Sequence, residues 1–203
     1  MRSFFTILLA LALTACGSSQ PPCNVELYGD SLLYGPTLTI KPADRLSELT
    51  GHRIIDHSAI GQTYTEFTSR LSTVAAQSEP GSIVVIELGG NDAFIPISDD
   101  GYESLVHQTL VAFPDRQIIF ITFVPLDVIP DNIFWTEPVV SAIHGYNQRL
   151  LKIADQRGLT LVRWDLVPYA GWQTDTIDGV HRTQAAMERL LVPLADQIST
   201  MCN

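Results

Sequence analysis

Three observations predict a three-layer α/β sandwich, with a parallel sheet between two helical layers. Short apolar runs alternate with helical stretches along the whole 203-residue chain. One of the runs, Ile83–Ile86, is continuously apolar, as expected of a strand covered on both faces, and Ile118–Phe123 is apolar but for Thr122. The composition, 46% hydrophobic and 17% charged, is that of a globular domain rather than a disordered chain.

The elements follow in order. Val25–Tyr28 is the first strand, and Ala43–Thr50 a short helix closed by Gly51. Arg53–Asp56 is the second strand, centred on Ile54-Ile55. From Tyr64 to Ala76, Phe67, Leu71, Val74 and Ala75 recur at helical spacing, and Pro80-Gly81 ends the unit. Ile83–Ile86 is the third strand, and Tyr102–Phe113 a helix stopped by Pro114. Ile118–Phe123 is the fourth strand; Leu126–Pro138 is irregular and carries Phe134-Trp135. Val139–Gln156 is a long helix, Leu159–Trp164 the fifth strand, and Arg182–Thr200 a closing helix kinked by Pro193. Five strands linked this way suggest the flavodoxin-like order 2-1-3-4-5, with ligands bound beyond the carboxyl ends of the strands.

Twelve Lys+Arg against 22 Asp+Glu exclude nucleic-acid or anionic-membrane binding through a basic face. Neither G-x-G-x-x-G nor a P-loop occurs, so no nucleotide cofactor is expected. No His-Glu-x-x-His or Cys/His ligand spacing occurs either, so no metal is expected. His52 and His57 flank one strand and read as structural, and His107 and His144 read as bland.

The strand ends carry the chemistry. After the first comes Gly29-Asp30-Ser31, where a Ser at a strand-to-helix turn is a nucleophile candidate or simply a cap. After the second, Gly61 can present an unobstructed backbone N–H or serve only the turn. After the third, Gly89-Gly90-Asn91-Asp92 offers an amide donor. Beyond the fifth, Asp178-Gly179-Val180-His181 places an acid three residues before an imidazole, a spacing that lets it orient the ring. Each signal is modest alone. Together they supply nucleophile, base, orienting acid and oxyanion donors at one sheet edge.

This set, in this order, resembles the SGNH hydrolases, or GDSL esterase/lipase family. The resemblance spans Val25 to the last helix. It implies a serine esterase with catalytic Ser31, Asp178 and His181, and an oxyanion hole of Ser31, Gly61 and Asn91. The reaction is acyl transfer to water without cofactor or metal, on small-molecule esters with short acyl or aryl groups. Cell-envelope glycan O-acetyl esters are the alternative substrate, and a catalytically silent binding lipoprotein the alternative function. Asp30 is the competing acid, but its place directly before Ser31 suits turn support. The chain departs from the family pattern at Asp56, often Asn, and at Arg182, often Pro. An α/β-hydrolase is disfavoured, because no Gly-x-Ser-x-Gly elbow exists. Leu126–Pro138 and Val167–Trp172 lie on the active edge, where their aromatics line an acyl site or pack on the core.

Arg2 followed by apolar Phe4–Leu13 reads as a secretory leader too short to span a bilayer. Leu13-Thr14-Ala15-Cys16 resembles the bacterial lipobox, which implies lipidation at Cys16; an ordinary leader cut near Ala15 is the alternative. The expected organisation is a lipoprotein signal peptide at 1–15, a tether at 16–22 and the hydrolase domain at 23–203. The absence of an acidic residue after Cys16 implies an outer-membrane anchor facing the periplasm, with membrane contact through the lipid alone. Cys23 and Cys202 are left at the two ends of the domain, either as a disulfide or as two buried thiols.

Overall fold

In a computed structural model of the chain, residues 23–124, 129 and 134–203 are described. The leader, Cys16 and the tether lie outside the described residues, as does most of the irregular segment before Phe134.

Five parallel strands form one sheet in the order β2-β1-β3-β4-β5. They are β1 (Asn24–Gly29), β2 (Arg53–Asp56), β3 (Ile83–Glu87), β4 (Gln117–Ile121) and β5 (Thr160–Val162). The helices are α1 (Ser31–Tyr34), α2 (Pro42–Thr50), α3 (Tyr64–Ser69), α4 (Leu71–Gln77), α5 (Asp99–Ala112), α6 (Glu137–Arg157), α7 (Trp172–Asp175) and α8 (Gln184–Cys202). The register pairs Leu27 with Asp56 and Val85 with Leu27, so β1 and β3 end side by side. Right-handed crossovers explain the layers. The step from β1 to β2 runs one way along the sheet, and every later step runs the other. Accordingly α2 packs on α8, whereas α3, α4 and α6 pack on α5.

The core matches the patterning. Val25, Leu27, Val84, Val85, Ile119 and Phe120 are buried, with Leu46, Leu191 and Leu194 from the α2–α8 layer and Phe67, Val106 and Ile143 from the other. Glu26 is a buried exception on β1. Its carboxylate accepts from the Tyr28 hydroxyl at 2.6 Å, the Ser82 hydroxyl at 2.8 Å and the Glu79 N–H at 2.7 Å. Burial pushes this carboxyl up, but the donors outweigh it and hold it below its usual range.

Several element bounds differ from expectation, among them the fourth strand, which ends at Ile121, and the helix expected from Tyr102, which begins at Asp99; three others have a visible local cause. The stretch from Tyr64 is two short helices, broken at Arg70, whose φ −113 and ψ 7 leave the helical region. The fifth strand ends at Val162, and Trp164 begins a single 3-10 turn. The last helix starts at Gln184, because Arg182 bridges to Thr176 and Thr183 caps the helix through its hydroxyl.

The structure pairs Cys23 and Cys202 as a disulfide, with their Cα atoms 5.9 Å apart. His52 lies beside it, its ligand atom within 4.8 Å of both sulfurs. The disulfide occupies both sulfurs, so this trio is no open metal site. His57, at the other end of β2, stacks on Tyr28 with centroids 4.8 Å apart.

Candidate active site

The turn after β1 is dictated by size. A Cβ at Gly29 would stand 2.7 Å from the Leu33 side chain, so only Gly lets α1 fold back this closely. Asp30 caps α1, its Oδ1 accepting from Leu32 N at 2.8 Å. Ser31 is the first residue of α1 and is 9% exposed.

After β3, Gly89 adopts φ +125 and packs so closely that a Cβ would meet Tyr102 at 2.9 Å. Asn91 follows. Its Nδ2 donates to Asp30 Oδ2 and to the Gln62 carbonyl, each at 3.1 Å. Both amide hydrogens are therefore engaged, and donation to a substrate oxygen requires Asn91 to exchange one of these partners. Asp92 serves another purpose. Its buried carboxylate accepts from Tyr64 N at 2.6 Å and Thr65 N at 3.1 Å, capping α3. That clamp ties the Asn91 turn to the loop holding Gly61. Gly61 is exposed with φ +74, next to the Gln62 carbonyl that Asn91 holds.

The Asp178–His181 loop sets the acid against the base. His181 Nδ1 lies 2.6 Å from Asp178 Oδ2. Asp178 Oδ1 accepts from the backbone N–H groups of His181 and Val180 at 2.7 and 3.0 Å. Burial pushes the Asp178 carboxyl up, but the His181 side chain and these backbone donors outweigh it and hold it below its usual range. Trp135 fastens the loop by donating from its indole N–H to the Gly179 carbonyl. Ser31 and His181 share no hydrogen bond; such contacts are commonly open before substrate binds.

A cavity of about 40 Å³ joins these pieces, lined by Ser31, Asn91, Val180 and Arg182 and walled by Phe94, Phe123, Val124, Trp135 and Ile143. Asn147 on α6 holds one wall in place, bonding both the N–H and the carbonyl of Phe123 at 2.8 Å. Of the aromatic pair, Trp135 is buried in the wall and Phe134 is 42% exposed. Val167, Pro168 and Tyr169 line a smaller neighbouring cavity instead, and Trp172 packs on the core. A larger open groove of about 640 Å³ between α3–α4 and α5 holds the Glu103–His107 pair and the hydroxyls of Ser72 and Ser104, neither of which bonds the imidazole. Chemistry rather than volume locates the site.

Glu87, the last residue of β3, was not singled out in the sequence because it reads as the polar end of a strand. It is fully buried, and neither carboxylate oxygen finds a partner. Burial and the neighbouring Asp30 carboxylate push it well above its usual range. Burial likewise raises Asp30. The pair thus keeps a proton beneath Ser31 that the unfolded chain releases, and stability falls as pH rises above the ordinary glutamate range. Glu87→Gln removes that loss. Its stability relative to the parent should rise as the pH is raised above about 5, by up to about 1.4 kcal/mol per pH unit. Thermal melts across that range check it, and a pH-independent difference overturns it.

The GDSL-like lipase/acylhydrolase family model matches residues 27–189. No curated protein matches the chain. Among solved structures, an aryl esterase of M. smegmatis shares the fold at TM-score 0.73 and 19% identity, over 88% of this chain and 99% of the other. Est24, a carbohydrate acetylesterase from Sinorhizobium meliloti, does so at TM-score 0.69 and 19% identity, over 88% and 99%. A family 3 carbohydrate esterase of Clostridium thermocellum aligns at TM-score 0.68 and 16% identity, over 90% and 100%. At such identities the likeness is one of fold. The family match covers most of the chain, including the Gly-Asp-Ser turn, the Gly-Gly-Asn-Asp turn and the Asp-x-x-His loop, and so the chain belongs to the GDSL-like lipase/acylhydrolase family and is a carboxylic ester hydrolase.

Proposed function

We propose that the chain is a serine esterase for short acyl groups, working through an acyl-enzyme. His181 takes the Ser31 proton as Ser31 attacks the ester carbonyl, and Asp178 orients and stabilises the imidazolium. The Ser31 and Gly61 N–H groups and the Asn91 amide hold the oxyanion. His181 then returns the proton to the leaving alcohol, and as base again it activates the water that releases the acid. One observation carries this reading. Ser31 and Asn91 line one cavity with Val180, the neighbour of His181, whose ring Asp178 already holds. The cavity, about 40 Å³, accommodates a few heavy atoms, since a water needs roughly 10–15 Å³ of such space. That size supports an acetyl or propionyl group over a fatty chain. It equally suits O-acetyl glycans, the second reading, to which the fold shared with two carbohydrate esterases lends weight.

The test is hydrolysis of p-nitrophenyl esters from acetate to decanoate by the full chain in detergent, beside its Ser31→Ala variant. Activity should peak at acetate or propionate and vanish in the variant. A peak at decanoate overturns the short-acyl reading, and retained activity in the variant overturns the nucleophile. Turnover of an acetylated glycan with poor turnover of every p-nitrophenyl ester favours the second reading. No turnover of any ester favours a silent binding protein.

The lipobox supports anchoring at Cys16 in the outer membrane, facing the periplasm. Metabolic palmitate labelling should mark the parent and not Cys16→Ser; equal labelling overturns the anchor.

A further inference from the structure

Arg182 is 3% exposed, yet its Nε and Nη1 make no hydrogen bond. It lines the cavity that holds Ser31 and Asn91, and also the smaller one beside it. Its position is firmly set. The backbone bridges to Thr176, and the guanidinium lies over the Tyr169 ring, 5.1 Å from the centroid. A buried cation with unpaired N–H groups is costly, and beside apolar walls its attraction for an anion is strong.

None of the surrounding carboxylates accepts a hydrogen bond from the Arg182 Nε or Nη1. Asp175 pairs with Arg189 at 2.6 Å and accepts from Ala170 N at 2.8 Å. Asp178 is taken by His181, and Asp30 by Leu32 N and Asn91. Glu87, pushed up by burial and by Asp30, accepts no hydrogen bond from the guanidinium. Arg182 also stands immediately after the imidazole of the proposed triad, where a bound anion would lie close to the reacting ester. The chain as a whole carries a formal charge of −10, so an anionic ester gains nothing from the general field. Any preference for one must come from a local cation, and Arg182 is the cation in this wall.

We propose that Arg182 is an anion-recognition residue of the ester site, selecting esters that carry a carboxylate on the acyl or the alcohol half. This rests on the esterase reading above and narrows its substrate class. A planar guanidinium with two free N–H groups suits a carboxylate. On the acyl side the ligand would be a dicarboxylic half-ester. On the alcohol side it would be an acylated hydroxy acid, such as an O-acetylated uronate.

The test compares kcat/KM for two ester pairs in the parent, Arg182→Met and Arg182→Lys. The pair 4-nitrophenyl hydrogen succinate and 4-nitrophenyl butyrate reports the acyl half. The pair 4-acetoxybenzoate and phenyl acetate reports the alcohol half. Arg182→Met should lower the anionic-to-neutral ratio of one pair about ten- to a hundredfold, and Arg182→Lys should keep most of it. The pair that moves names the half. If the parent hydrolyses neither neutral nor anionic esters, the esterase reading itself has failed. If it hydrolyses neutral esters and a folded Arg182→Met changes neither ratio, Arg182 is a structural counter-charge and the proposal is overturned. Should Arg182→Met not fold, inhibition of the parent decides. Succinate should compete with a neutral ester at least about tenfold more strongly than succinamide; equal inhibition overturns the proposal.

Discussion

Under the proposed mechanism, His181→Ala lowers kcat for a short-chain ester by about 10⁴-fold, the upper end for a general base. The ring has two tasks. Its free nitrogen removes the Ser31 proton during attack, and the same nitrogen later protonates the leaving alcohol. Neither task can pass to a neighbour, because Glu87 lies buried beneath the site and Asp30 is committed to Leu32 N and Asn91. Asp178→Asn should cost up to about 10⁴, since an amide can hold the ring in the wrong tautomer and cannot stabilise its cation. The 2.6 Å contact and the two backbone donors on the other carboxylate oxygen show how firmly that acid is placed. Steady-state kinetics on p-nitrophenyl acetate, with circular dichroism to confirm folding, checks both variants. A large loss in Asp30→Ala with none in Asp178→Ala would move the acid to Asp30.

Removing the Cys23–Cys202 disulfide should have the largest effect on stability. The two residues are 179 apart in sequence, so the bond closes nearly the whole domain into one loop. The chain-entropy model gives about 5 kcal/mol for such a loop at 25 °C. The bond also ties the entry to β1 to the end of α8, which packs on α2. The Cys23→Ser, Cys202→Ser double variant should therefore unfold at markedly lower urea, by about 2–5 kcal/mol of stability. The same loss should follow reduction of the parent, and no change under reduction overturns the expectation. Activity should survive where the double variant stays folded, because the bond lies at the amino-end edge of the sheet and the site at the carboxyl-end edge.

Much of this was legible in the residues. Short apolar runs bounded by turn residues, such as Ile83–Ile86, read as strands covered on both faces, and crossover handedness then leaves few strand orders. The site motifs were legible because each has a local reason to look as it does. Gly29 is required by the approach of Leu33, and the three-residue gap of Asp178 and His181 lets one carboxylate cap the loop and hold the ring. Other features depend on residues far apart in sequence. Asp92 reads as an oxyanion-turn residue, yet it caps α3, which lies 28 positions earlier. Glu87 reads as a strand end and becomes a buried carboxyl against Asp30.

The sequence by itself determined the elements, their alternation and the identity of the chemical groups, since these follow from periodicity, turn chemistry and spacing within a few residues. Only the tertiary structure decided which groups meet, how small the cavity is, that Trp135 holds the Asp178–His181 loop, and that the Nε and Nη1 of Arg182 are buried without a hydrogen bond. Burial and pairing are properties of space shared by distant segments, and no local pattern in the chain encodes them.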